Sequence, residues 1–237
     1  MIRFYFHPTP NPAKVALFLE EAGLPYETVP VDTSKGEQHL PAFRAINPNG
    51  KVPAIVDTDG PGGTEARAFD STAILLYLAE KTGKFGGKDL RARTETNQWL
   101  FWQMGGLGPM AGQYNHFGNY APEKLPYAID RYRNEVNRLY GVMNKRLADR
   151  DYLAGEYSIA DMASYPWVVP WERQGQNIND FPHLKRWLDA IAGRDAVKRA
   201  YAKATEVNPN PGGIRTAEER AILFGQTAQS VDRMAAR

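Results

Sequence analysis

The 237-residue chain has no cysteine, which excludes disulfide staples, thiolate zinc sites and any reaction in which the protein supplies its own nucleophilic thiol. Thiol chemistry on this scaffold needs a ligand that brings the sulfur. No run approaches the roughly 18 to 20 apolar residues of a membrane span. The opening Met1-Ile2-Arg3-Phe4-Tyr5-Phe6-His7-Pro8 is too short and polar for a secretory segment, so the expectation is a cytosolic protein with no membrane partner. An excess of one charge is also missing: 29 basic against 27 acidic residues leave a net +2, with no basic run that would mark a nucleic-acid partner. There is no GxxxxGK[ST], HExxH or GxSxG motif. His7, His39, His116 and His183 are scattered, whereas metal ligands cluster; they read as structural or solvated, and no metal is expected.

What is present has globular proportions, 43% hydrophobic and 24% charged, with length for one large domain or two modest ones. Ile2 to Phe6 reads as a strand that stops at His7-Pro8-Thr9-Pro10. Asn11 is then a good N-cap, with Pro12 at the first position of a helix that Gly23 stops. Tyr26 to Val31 alternates like a strand, and Pro30 confines it to an edge. A polar segment over 34–38 and a short apolar run over 40–46 lead to the turn Asn47-Pro48-Asn49-Gly50. Val52 to Asp57 is a buried strand, 60–63 a glycine-rich turn, 64–69 a second extended run and 71–81 a helix. The order βαβ, helical connection, ββα suits a mixed sheet with helices packed on it, over residues 1–82.

Three glycines without helical periodicity make 83–90 a linker, and 91–205 looks all-helical, with helices over 91–105, 127–150, 158–169, 182–192 and 195–204. Ser158-Ile159-Ala160-Asp161 has capping-box spacing. The stretch Gly106 to Ala111 matches GxGxxA but follows a Trp-rich helix rather than a strand, so it reads as a helix bend or break. The turn cluster over 208–213 sets off a C-terminal extension, 206–237, expected to pack beside the cleft and limit entry.

Three features carry chemistry. Val52-Pro53 opens a buried strand, where proline is normally excluded; a cis bond accommodates it and turns the Val52 N–H and C=O outward toward a peptide-like ligand, and a trans edge proline without a role is the plain alternative. Asp70-Ser71 lies ahead of a helix that begins after Ser71, whose N–H groups suit a ligand carboxylate while Asp70 suits an ammonium; taken alone, a plain N-cap beside a solvated Asp is the simpler reading. Thr9-Pro10-Asn11 brings a hydroxyl and an amide over the start of the first helix, or is only a turn and a cap.

Together these motifs resemble the cytosolic glutathione transferases over residues 1 to about 204. Val52-Pro53 is similar to the family's cis-proline, Phe69-Asp70-Ser71-Thr72-Ala73-Ile74-Leu75-Leu76-Tyr77-Leu78 to its [ED]-S-x-x-I-x-x-Y-L signature, and Tyr157-Ser158-Ile159-Ala160-Asp161 to its capping box. Tyr5-Phe6-His7-Pro8-Thr9-Pro10-Asn11 and Gln98 to Met110 further resemble the bacterial nu class, which is similar to the glutathione-fold domain of a fungal prion-forming regulator. The resemblance implies an N-terminal thioredoxin-like domain, an all-helical second domain and a homodimer. It also implies glutathione, reduced or as the disulfide, as the bound co-substrate. It places Thr9 and Asn11 against the glutathione sulfur, and Gln38 and Val52, within Lys51-Val52-Pro53, on the tripeptide backbone. Asp70 and Ser71 would hold the γ-glutamyl end, and Arg131, with Gln98 as a weaker case, would reach the partner subunit's glutathione. Pro12 departs from the Gly frequent in these relatives, harmlessly at the start of a helix.

The leading expectation is a glutathione-dependent disulfide reductase. Conjugation of glutathione to an electrophile is the enzymatic alternative, although Tyr5 sits inside the strand pattern, which disfavours a Tyr-activated transferase. A non-catalytic glutathione-fold binding module is the third possibility. Joint retention of Asn11, Val52-Pro53 and Asp70-Ser71 argues against it.

Overall fold

The computed structural model of the chain describes residues 1–208 and 216–229. Strand β1 (Ile2–Phe6) buries Ile2, Phe4 and Phe6 on one face, as a period of two requires. Helix α1 (Pro10–Ala22) follows, then β2 (Tyr26–Pro30), the short α2 (Pro41–Arg44), β3 (Ala54–Asp57), β4 (Ala66–Phe69) and α3 (Ser71–Thr82). The sheet order is β2-β1-β3-β4, with β2 parallel to β1 and the other two pairs antiparallel. Pro30 therefore ends an edge strand, where a missing N–H is tolerated. This is the mixed sheet of a thioredoxin-like domain.

Helices α4 (Leu90–Trp102), α5 (Gly108–Tyr114), α6 (Pro126–Arg146), α7 (Ile159–Val168), α8 (Pro182–Ala192), α9 (Asp195–Val207) and α10 (Ala217–Phe224) make up the rest. Of the expected bend or break at Gly106 to Ala111, the break does not occur. The chain stays helical through a π-turn, Gln103–Leu107, directly into α5, with Pro109 at the second residue of α5 just past the π-turn. A second π-turn, Asn115–Tyr120, closes the far end of α5.

Helix α1 is apolar nearly all round, and it is buried accordingly: Val15, Leu17, Phe18 and Leu19 are fully enclosed between the sheet and α7 and α9. One continuous core runs from Phe4 and Phe18 through Leu75 and Leu100 to Ile159 and Trp187. Its rim is tied by ion pairs from α9 and its N-terminal flank to α1, Arg194 to Glu21 at 2.5 Å and Arg199 and Lys203 to Glu20 at 2.8 and 2.6 Å. The expected capping box is present on α7.

Part of the expected 206–237 extension, including most of the 208–213 turn, lies outside the described residues. Helix α10, which lies inside them, starts at a capping box of Thr216 and Glu219. Its Phe224 ring lies 4.8 Å from His116 and 6.1 Å from Tyr120, and Ile222 sits beside Gly36. The helix thus touches both the segment before Gln38 and the second π-turn.

Candidate functional site

The strand register brings the three sequence motifs to one place. Tyr5 pairs with Ala54 and Ala54 with Phe69, so the end of β1, the start of β3 and the end of β4 share one end of the sheet. Chain leaves or enters there as Thr9 into α1, Pro53 into β3 and Asp70 into α3. Strand β2 ends beside Phe6 as well, and from it runs the segment that carries Gln38. Thr9, Asn11, Gln38, Lys51, Val52, Pro53, Asp70 and Ser71 thus belong to loops and helix starts at a single end. Gln98 is exposed on α4. Arg131 is exposed on α6, its guanidinium 3.6 Å from Glu135; within one chain neither joins the cluster.

The Val52–Pro53 peptide is cis. Strand β3 begins only at Ala54, two residues later than the sequence pattern suggests, because the turn through Pro53 takes Val52 out of the ladder. The Val52 N–H and C=O have no partner among the described residues. Asn47 braces this turn, its side chain donating to the Lys51 carbonyl and accepting from the Asn49 N–H at 2.9 Å.

At α3 the expectation of a helix beginning after Ser71 is corrected by one residue. Asp70 is the N-cap, its Oδ1 accepting from the Thr72 and Ala73 N–H groups at 2.9 and 3.3 Å, and Ser71 is already helical and buried. A carboxylate matches the orphan donors of a first turn better than a hydroxyl. Asp70 holds φ at +67°, a conformation that Asp tolerates better than most residues. Gln38 is buried; its Nε2 donates to the Thr33 carbonyl at 3.2 Å, while its Oε1 is buried without a donor. A ligand N–H would satisfy that oxygen, whose unpaired burial costs about 1 to 3 kcal/mol.

At α1 the helix starts earlier than Asn11. Thr9 is the N-cap, though its hydroxyl caps nothing, and Pro10, Asn11 and Pro12 fill the first turn. Proline is at home there because first-turn N–H groups have no intrahelical partner. The consequence is chemical: with two prolines in the turn, Asn11 keeps the one free backbone N–H, so the side chains must supply the remaining donors. The Thr9 hydroxyl, 3.5 Å from the His7 carbonyl, is exposed. The Asn11 carboxamide is half-buried, and its Oδ1 accepts from the Trp167 indole N–H of α7 at 3.1 Å. A cavity of about 230 Å³ opens beside Thr9, walled mainly by Pro10, Pro166, Val169, Tyr201 and Ala204.

Lys14, one turn into α1, was not anticipated as special. It is fully buried at the seam with the π-turn after α4, where its ammonium donates to Gln103 Oε1 at 2.7 Å and lies 3.5 Å from the Met104 sulfur. No carboxylate pairs with it among the described residues. Burial pulls its pKa down to about 7, against the opposing charge of Asp70. The sign of the effect on stability follows. Between pH 7 and the ordinary value of 10.5 the unfolded chain holds a proton that the native chain lacks, so stability from this site rises with pH across that window and is lowest below pH 7. Lys14→Met is expected to remove that slope. The burial penalty corresponds to about 4 to 5 kcal/mol; leaving Gln103 unpaired offsets about 1 to 3 of it. The variant should therefore be more stable by roughly 2 kcal/mol at pH 6. Denaturant melts at pH 6 and pH 9.5 check this, and parallel stability profiles for the two proteins would refute it.

The sequence profile described as "Glutathione S-transferase, N-terminal domain" matches residues 9–81, and "Glutathione S-transferase, C-terminal domain" matches 111–195. The chain is 53% identical over 206 residues to the Escherichia coli (strain K12) disulfide-bond oxidoreductase YfcG, covering 86% of this chain and 96% of that one. The chain belongs to the glutathione transferase family. Among solved structures, this glutathione transferase is 43% identical to a family member from Pseudomonas fluorescens with two glutathiones bound (TM-score 0.80, covering 84% of this chain and 91% of that one). It is 42% identical to a glutathione transferase from Pseudomonas putida with one glutathione disulfide bound per subunit (TM-score 0.81, covering 84% and 90%). Among its described residues no group of three or more His, Asp or Glu gathers to hold a metal, and no helix is long and apolar enough to cross a membrane.

Proposed function

We propose that this glutathione transferase is a glutathione-dependent disulfide-bond reductase of the nu class. The observation that carries the reading is the pair of side-chain donors, the Thr9 hydroxyl and the Asn11 amide, at an α1 N-terminus in a chain that has no thiol of its own. In this reading glutathione lies along the end of the sheet. Val52 pairs with its peptide backbone in β-strand fashion, Gln38 and Lys51 flank it, and the α3 N-terminus with Ser71 and the free oxygen of Asp70 takes the γ-glutamyl end. Its sulfur then meets Thr9 and Asn11.

The chemistry follows from ionisation. A free thiol near pKa 8.5 is a few per cent thiolate at pH 7, and a charge-assisted hydrogen bond of about 1.5 to 3 kcal/mol lowers that pKa by roughly one to two units. The bound thiolate attacks one sulfur of the substrate disulfide, forming a mixed disulfide and releasing one thiolate, which takes up a proton. A second glutathione thiolate attacks the glutathione sulfur of that mixed disulfide, giving glutathione disulfide and the second thiol. No protein acid or base is needed, and a thiol pKa near ambient pH is close to optimal for exchange. The cavity beside Thr9 suits the apolar arms of a small disulfide.

The similarity to a protein named a disulfide-bond oxidoreductase, and to relatives holding two glutathiones or glutathione disulfide, supports this reading. The finer parts go with it: domains at 1–82 and 91–205 with a linker at 83–90, a cytosolic location, and a homodimer in which Arg131 and Gln98 face the partner's glutathione. The stoichiometry of turnover tests it. Reduction of 2-hydroxyethyl disulfide should consume two glutathiones per disulfide and yield glutathione disulfide. Tight glutathione binding without such turnover would favour conjugation or a binding module.

The extension enters through α10. Because it touches the segment before Gln38 on one side and the second π-turn on the other, it narrows the approach to the end of the sheet. A chain truncated after Asn208 should show a changed KM for bulky disulfides; unchanged kinetics would contradict a gating role.

A further inference from the structure

We infer that Trp167 is a positioning residue for the Asn11 carboxamide, its indole N–H fixing which end of the amide faces the glutathione sulfur. The inference rests on the reading above and adds to it a residue that neither touches glutathione in that reading nor lies in any of the sequence motifs.

The argument begins with the inventory of donors. An indole nitrogen carries one hydrogen and no lone pair for accepting, so it donates only. The amide atom 3.1 Å from Trp167 Nε1 must therefore be the oxygen of Asn11. That contact removes the usual ambiguity of a carboxamide, whose two ends have nearly the same shape. With Oδ1 held toward α7, Nδ2 and its two hydrogens occupy the other arm of the group, and they have no partner among the described residues. The difference matters for a thiolate: Nδ2–H donates to it, whereas Oδ1 in the same place would repel it.

Trp167 is itself held. It is buried, and its ring lies against α5 at two glycines, where a Cβ on Gly108 would approach Nε1 to 3.5 Å and one on Gly112 would approach Cη2 to 3.5 Å. This packing of a buried ring beside the two glycines supports the indole N–H in its position toward Asn11, consistent with a hydrogen bond that is part of the preorganised site.

The test is a double-mutant cycle with Trp167→Phe and Asn11→Ala, read in two ways: disulfide turnover against pH, and the ultraviolet thiolate absorbance of bound glutathione titrated on the same proteins. Without the N–H the two amide orientations become comparable. Trp167→Phe should then raise the pH at which the bound thiol ionises and lower turnover at pH 7 by about three- to tenfold. The deficit should shrink as pH rises and the thiol ionises unaided. In the Asn11→Ala background the same substitution should change neither readout. Replacing Trp167 with benzothienylalanine, which keeps the ring shape without the N–H, must reproduce the effect, and it serves alone if the Phe variant does not fold. A loss of similar size in both backgrounds, or an unchanged thiol titration in Trp167→Phe, would overturn the inference while leaving the reductase reading in place. If Asn11→Ala itself moved neither readout, both would fall.

Discussion

Replacing Asp161 by alanine is expected to destabilise the protein by about 3 to 5 kcal/mol, the largest effect of any single substitution considered for stability. Its carboxylate sits at the start of α7, fully buried, and accepts from four donors: the Leu153 and Ser158 N–H groups at 3.0 Å each, the Ser158 hydroxyl at 3.2 Å and the Trp187 indole at 2.8 Å. Burial pushes its carboxyl up to about 6 against the pull of those donors, so at pH 7 it is ionised and each donor is charge-assisted. Truncation strands all four in the core, where an unpaired donor loses its full desolvation cost. Asp161→Asn keeps the shape and one oxygen but turns an NH₂ toward the donors, so a smaller loss is expected. Denaturant midpoints measured with an unchanged slope provide the check. A change under about 1 kcal/mol for the alanine variant would mean that the surrounding backbone relaxes and re-pairs.

The consequence reaches the site, because α7 carries Trp167 six residues beyond Asp161. The capping box that sequence spacing reveals is therefore a fold element with a functional address.

Legibility in the sequence was uneven for physical reasons. Strand β1, the edge placement of β2, the hairpin and the order of elements follow from short-range patterning and turn residues, and the structure reproduces them. Helix starts moved where two nearby residues competed for one cap: Thr9 against Asn11, and Asp70 against Ser71. In both cases the earlier residue won, leaving Asn11 inside the first turn with its side chain free to meet α7. The glycines around 105–108 pointed to a break, but a π-turn absorbs them without loss of helicity because α5 can continue from Pro109.

The residues that sequence reading missed are those whose roles come from distant partners. Trp167 lies 156 positions from Asn11, and in sequence it is one aromatic in an apolar helix. Lys14 left a faint signal, a lone cation next to the apolar run Val15 to Leu19 of α1, where a buried ammonium is costly enough to notice. The cluster at the end of the sheet, by contrast, was visible as three separate motifs; the register Tyr5 to Ala54 to Phe69 is what joins them.

Asn11→Ala carries the largest expected effect on activity. The amide is one of the two side-chain donors at a helix start where two prolines leave the Asn11 N–H as the one free backbone donor, and the chain has no thiol to substitute for it. Loss of a charge-assisted hydrogen bond of about 1.5 to 3 kcal/mol predicts roughly a ten- to hundredfold fall in kcat/KM near pH 7. The fold should survive, since the side chain is half-buried and its one bond is to Trp167. The measurement is steady-state turnover of 2-hydroxyethyl disulfide with glutathione, wild type beside Asn11→Ala, at saturating and limiting glutathione. Robust wild-type turnover that collapses in the variant, with glutathione still bound, is the predicted result; equal turnover in both proteins would contradict the placement of the sulfur over α1.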